Sequence, residues 1–199
     1  ARKVFAGRSL KKVEASPASM VPEITYIIPF RNFERTDSIR TVVQNIRAQK
    51  YPVVHILMVE QDSTTKIDSS TYGPVTHLLA KGAANPLFNK SMAFNYAVAR
   101  APSDKVVLHD ADMLAPAHYT KAVADALATH DSCHLGSTVI YTSETSMSNI
   151  NKTGIVDQNA HCERVVGYYE GGSLACTTKA YWQIGGFNED YWGYGCEDC

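Results

Sequence analysis

The stretch Lys105–Asp112, KVVLHDAD, decides how the rest of the chain is read. Val106, Val107 and Leu108 form a short apolar run of the kind shown by a strand buried on both faces. Two acids, Asp110 and Asp112, follow at its carboxyl end. Residues i and i+2 of an extended chain point to the same side, so both carboxylates can face one ligand. Open α/β sheets bind ligands at this edge. Like charges held together repel unless something positive sits near them. A divalent cation carrying phosphates satisfies such a pair, because Mg2+-type ions take one or two carboxylates and leave other positions to phosphates and water. A solvated pair of turn acids before Met113–Pro116 is the plainer alternative.

Upstream, Ile24–Phe30 (ITYIIPF) is a first buried strand, stopped by Pro29. A helix is expected from about Asp37 to Gln49, because Ile39, Val42, Val43 and Ile46 recur at i, i+3, i+4 and i+7 and Thr36 or Asp37 can cap it. Tyr51-Pro52 turns the chain into a second strand, Val53–Val59. Strand, helix, strand is the grammar of a parallel sheet, hence an α/β fold. Ser63–Pro74 reads as a polar loop and His77–Ala80 as a short third strand. Asn89 caps a helix that runs to about Arg100 and is closed by Pro102.

Downstream of the acids, a helix is expected over Ala117–His130, a strand over Leu135–Thr142, and then a loop rich in Ser, Thr and Asn. The last part crowds Tyr168, Tyr169, Tyr181, Trp182, Phe187, Tyr191, Trp192 and Tyr194 among seven glycines. That mixture suggests an irregular, ligand-shaped pocket, with a small aromatic second core as the alternative.

The bulk properties narrow the classes. The chain has 199 residues, 45% hydrophobic and 20% charged, which suits one globular domain. A net charge of -1 gives no reason to expect nucleic acid or an anionic membrane as partner. No apolar run is long enough to span a bilayer. Residues 1–22 are polar and basic and read as a leader or linker, with the domain over 23–199. Cys133, Cys162, Cys176, Cys196 and Cys199 form an odd set without regular spacing, so a disulfide framework is not expected, and Cys196-x-x-Cys199 lacks the second pair of a zinc site. Two glycosylation triplets begin at Asn89 and Asn151.

Four segments, taken in order, resemble one family. They are ITYIIPFRN, LFNKSMAFNYA, HDADMLAP and GGSLACTTKAYWQIGGFNEDYWGYGCED. Together they are similar to the galactosyltransferase family of GT-A glycosyltransferases, which includes β-1,4-galactosyltransferases, and to polypeptide N-acetylgalactosaminyltransferases and bacterial chondroitin polymerases. The resemblance implies a GT-A, Rossmann-like, mixed and mostly parallel sheet flanked by helices. Residues 23–116 then form the nucleotide-binding half and 117–199 the acceptor and donor-sugar half. It further implies a metal-dependent, inverting transfer of galactose or an N-acetylhexosamine from a UDP-sugar to a hydroxyl of a glycan or glycoconjugate. A chondroitin-polymerase-like transferase and a non-catalytic nucleotide-sugar-binding module are the alternatives. A nucleotidyltransferase would want a glycine-rich loop where PFRNFERTD has none.

Residue by residue, the resemblance assigns Pro29, Phe30 and Arg31, with Phe88 and Lys90, to the nucleotide. It assigns Asp112 to the metal, Mn2+ or Mg2+, and Asp110 to the ribose or sugar. Gly171 and Gly172 match the pair against which the donor sugar lies. Trp192 and Tyr194 match a covering loop, and Glu197 and Asp198 the acidic pair, with Asp198 as catalytic base. The chain departs from the family at Phe33, Glu170 and Tyr194. The family also carries a later histidine as third metal ligand. The chain ends at Cys199, so the C-terminal part of the domain is expected to be missing. The absent disulfide pattern favours a cytoplasmic bacterial enzyme, with a Golgi lumenal one, which the glycosylation triplets would fit, as the alternative.

Overall fold

The computed structural model describes residues 23–31, 36–51, 54–81, 87–136, 138–156, 162–167 and 171–193. Three strands open the sheet: β1 (Ile24–Phe30), β2 (Val54–Gln61) and β3 (Thr76–Ala80). Helix α1 (Thr36–Arg47) connects β1 to β2, and α2 (Lys90–Val98) leads from β3 to β4 (Lys105–His109). After α3 (Tyr119–Ala126) come β5 (Ser132–Cys133), β6 (Thr138–Thr142), α4 (Glu144–Thr153), β7 (Cys162–Gly167), β8 (Ser173–Thr177) and α5 (Thr178–Gln183).

The main sheet runs β3-β2-β1-β4-β8-β5, and β6 pairs with β7 in a separate ribbon. β3, β2, β1 and β4 are parallel, while β8 enters antiparallel to both β4 and β5. The chain moves outward from β1 to β3 and then crosses back to place β4 on β1's other side. The order therefore reverses between β1 and β4, which is where an open α/β sheet has its ligand crevice.

Alternation along the strands sorts the core into two layers. Ile24, Tyr26, Ile28 and Phe30 of β1 and Val107 of β4 pack with Ile39, Val42, Val43 and Ile46 of α1. Ile27, Val106 and Leu108 face the other way, onto Ala93, Phe94, Ala97 and Val98 of α2. The same parity carries His109 toward α1 and α3, and Asp110 toward α2.

Several expected boundaries shift. α1 includes Thr36 as its first residue, so Asp37 lies in the first turn, where an acid favours the helix dipole, rather than at the cap. β4 stops at His109 and residues 111–112 form a turn, so the two acids are not on one extended strand as the sequence suggested. β6 begins at Thr138 instead of Leu135, and α3 is shorter than Ala117–His130. The Ser/Thr/Asn-rich loop is in fact largely helix α4. Ser143 caps it, its side chain accepting from Ser146 N–H, and Gly154 ends it in the left-handed region with φ 69°. α4 docks on α1, where Asn45 Nδ2 donates to Gly154 O at 2.8 Å and Thr41 Oγ1 to Asn151 Oδ1 at 2.6 Å. The final third holds regular elements, β7, β8 and α5, and its aromatics do form a small cluster. Tyr181 meets Trp182 and Phe187 edge-on, and Phe187 reaches Phe94. Among the described residues, no helix is long and apolar enough to cross a membrane.

Candidate functional site

β1 and β4 deliver two segments to the switch-point edge. At the end of β1, Pro29 and Phe30 are buried, and Phe30, 2% exposed, stacks on His77 within the core. Arg31 follows at partial exposure, and its guanidinium donates to Leu87 O. Past β4, Asp110 Oδ1 lies 2.8 Å from Lys90 Nζ, and the Asp110 N–H donates to Gly172 O at 2.9 Å. Asp112 is exposed in the turn that follows. Lys90 is thus not the free surface lysine its residue type suggests. It sits in the first turn of α2, 15% exposed, and neutralises the first acid of the pair.

A cavity of about 200 Å³ opens here. Its walls are Lys90 and Phe94 of α2, Leu108 and Asp110, His134, the run Gly171–Leu174, and Phe187. Gly172 has φ 84°, a conformation that side chains disfavour, and this turns the chain so that its carbonyl meets Asp110 while the backbone lines the cavity. Four of the sequence-predicted residues, Lys90, Asp110, Gly171 and Gly172, therefore converge on one space. Phe88 is half-buried beside them, and its carbonyl accepts from Gly193 N–H at 2.8 Å, tying down the segment that carries the half-buried Trp192. Tyr194, Glu197 and Asp198 lie outside the described residues, as does Glu170.

Sequence reasoning named Asn89 only as a helix cap and missed the other residues that hold this edge in place. Asn89 is buried. Its backbone exchanges hydrogen bonds with the Gln61 amide (2.7 and 3.1 Å), its Oδ1 accepts from Met92 N–H, and its Nδ2 donates to Glu189 O. An asparagine so engaged is not accessible as a glycosylation acceptor. Asn95 is the post of the loop after α5. It donates to Phe187 O and Glu189 Oε1 and accepts from Tyr181 Oη and Phe187 N–H. Asn45 of α1 exchanges bonds with the Ala115 backbone at 2.8 and 3.0 Å, fixing the chain just past the acid turn. The His109 imidazole is fully buried between Ser173 Oγ (2.9 Å from Nδ1) and Met113 O (3.0 Å from Nε2). Burial pushes its pKa down to about 4, so it is neutral at physiological pH. The repeating apolar pattern gave no sign of Asn95, Asn45 or His109, because each is recognised only by the partners that folding brings to it, while Asn89 was legible as a helix cap but not as the partner of Gln61 and Glu189.

Comparison with solved structures settles what this scaffold is. The chain matches a mannosyltransferase, PcManGT, from Pyrobaculum calidifontis, solved in complex with GDP-Man and Mn2+, at 20% identity over 93% of this chain and 52% of that one, with a TM-score of 0.54. It matches S. aureus TarS at 14% identity over 88% and 52% of the two chains, with a TM-score of 0.58. TarS in complex with UDP-GlcNAc matches with a TM-score of 0.53, at 14% identity over 88% of this chain and 51% of that one. The fold is that of the GT-A glycosyltransferases. The chain spans about half the length of these GT-A relatives. A family model described as the N-terminal domain of galactosyltransferase matches residues 154–199, the part that contains the glycine pair and the loop pinned by Asn95. No curated protein matches the sequence.

The turn after β4 offers carboxylate oxygens from Asp110 and Asp112, and the described residues contain no cluster of three or more His, Cys, Asp or Glu. Such a site leaves most of a divalent ion's positions to phosphate and water, the arrangement Mg2+-type ions favour.

Proposed function

We propose that this chain is the donor-binding part of a metal-dependent glycosyltransferase that moves a hexose or N-acetylhexosamine from a UDP-sugar to a glycan hydroxyl. The observation that carries the reading is the meeting of the acid turn, Lys90 and the Gly171–Gly172 backbone around one cavity at the switch point of a GT-A sheet. The galactosyltransferase model matched over residues 154–199 supports the choice of a galactose-type donor.

In this reading Asp112 would hold the divalent ion, Mn2+ or Mg2+, which when bound would supply Lewis-acid stabilisation to a departing diphosphate. Arg31 and Lys90 place cationic donors along the same phosphates, and Arg is suited to two oxygens at once. Asp110, released from Lys90 by the incoming phosphates, accepts from a sugar or ribose hydroxyl. The Gly171–Gly172 backbone lets the donor sugar approach without a Cβ in the way. The acceptor oxygen bonds to the anomeric carbon as the bond to the phosphate oxygen breaks. The acceptor's proton passes to Asp198, with Glu197 beside it, and UDP leaves from the opposite face with inversion. General-base assistance of this kind typically contributes about 10²–10⁴-fold.

Turnover tests the reading. With UDP-galactose or a UDP-N-acetylhexosamine, a glycan acceptor and Mn2+, the protein should release UDP, and Asp198→Asn should abolish release while leaving UDP affinity unchanged. Equal turnover in Asp198→Asn would remove the base from the scheme. A protein that binds UDP-sugars yet never releases UDP would be a binding module.

A further inference from the structure

We propose that His109 is the positioning residue of the donor site, a buried imidazole that holds the acid turn and the glycine pair in one arrangement; this rests on the donor-site reading above. His109 is fully buried and does not line the cavity. It acts through what it bonds. Met113 O can only accept, so Nε2 must carry the proton, and that bond spans the turn whose Met113 N–H donates back to Asp110 O at 3.2 Å. Nδ1 is then a bare acceptor, and the Ser173 hydroxyl must donate to it. With its proton so used, Ser173 Oγ accepts from Tyr119 Oη at 2.7 Å. Every proton in the run Tyr119–Ser173–His109–Met113 therefore has one place to go.

The run is also in register. His109 and Ser173 are partners across the β4–β8 ladder, and Ser173 directly follows Gly172, whose carbonyl takes the Asp110 N–H. Two walls of the cavity, the acid turn and the glycine backbone, are thus joined twice: once through backbone and once through the imidazole. The edge of the ring meets Tyr26, 5.5 Å between centroids, so the imidazole has little room to swing. Asp112 lies within the turn that His109 spans and gets its place from it.

Two substitutions separate this role from plain core packing. In His109→Gln the side-chain amide nitrogen reaches where Nε2 lies and can still donate to Met113 O. In His109→Asn the shorter amide reaches only the Nδ1 position and keeps Ser173 but loses Met113. Calorimetry with UDP and Mn2+ should show affinity within about threefold of wild type for His109→Gln. It should show a loss of about tenfold or more for His109→Asn, the effect of one missing hydrogen bond at a buried carbonyl. UDP affinity without metal should be the same in both. If affinity instead falls equally in the two variants, in step with their thermal midpoints, His109 is core packing and the proposal is overturned. A second measurement needs no variant: nitrogen-15 shifts of the wild-type imidazole should report the Nε2–H tautomer, and its proton should exchange more slowly with Mg2+ and UDP bound. The Nδ1–H tautomer would overturn the proposal. Absence of metal-dependent UDP binding in the wild type would strike the donor-site reading itself, whereas metal-dependent binding that ignores His109→Asn would strike only this inference.

Discussion

Replacing Asn95 with alanine should loosen the loop after α5 while leaving the sheet intact. The magnitude follows from its partners. Asn95 makes four hydrogen bonds, of which the one to Glu189 Oε1 ends on an exposed carboxylate and contributes little. The other three engage Phe187 N–H, Phe187 O and Tyr181 Oη at 3.0, 2.9 and 2.5 Å, groups held between α2 and α5. At roughly 1 kcal/mol each, their loss costs about 3 kcal/mol. For a domain of this size each kcal/mol lowers the melting temperature by about 2–4 °C, so a fall of about 6–12 °C is expected by calorimetric scanning. Hydrogen exchange should locate the damage, since the Phe187 amide loses its acceptor and should exchange faster, while amides in β1 and β4 shift only with global stability. Because Phe187 is part of the cavity wall, UDP affinity should weaken as well. A melting temperature lowered by less than about 2 °C, with the Phe187 amide still protected, would refute this view of Asn95 as the post of the loop.

Gly172→Ala places a Cβ on a residue at φ 84° and should cost about 1–2 kcal/mol in stability, with a further loss of UDP-sugar affinity that thermal melts and calorimetry would separate. Acid should weaken the fold through His109. Its pKa is about 4 when folded against an ordinary 6.5, so the unfolded chain takes up a proton first. Its contribution is then complete above about pH 6.5 and is lost as pH falls toward 4, by about 2 kcal/mol at pH 4.5. Urea unfolding at pH 7 and pH 4.5 should show that loss in the wild type, and His109→Gln should show a correspondingly smaller one.

The elements of the first half were legible because each announces itself locally. Ile24–Phe30 and Val106–Leu108 are apolar runs, α1 has its buried face at helical spacing, and Asn89 caps α2 as its side chain allows. α4 was not legible. Its only large apolar contribution to the core is Ile150, and its caps and its bonds to Thr41 and Asn45 hold it in place where a stripe would otherwise be needed. β8 was missed for a different reason. Ser173–Thr177 is a short segment after two glycines, and only the vacant side of β4 makes it a strand. The site divides in the same way. Lys90, Asp110 and the glycine pair could be named from their motifs, but the Lys90–Asp110 pairing and the turn that replaces an extended Asp110–Asp112 could not. Phe30 was assigned to the nucleotide by resemblance, and its burial against His77 could not be read from the sequence.

Whether the edge between β1 and β4 binds a nucleotide through a metal is decided by calorimetric titration of UDP with and without Mn2+. Wild-type protein should bind UDP measurably with Mn2+ and at least about tenfold more weakly without it, and Asp112→Ala should bind equally weakly in both conditions. UDP affinity that ignores Mn2+, or Mn2+-dependent affinity that survives Asp112→Ala, would contradict the account.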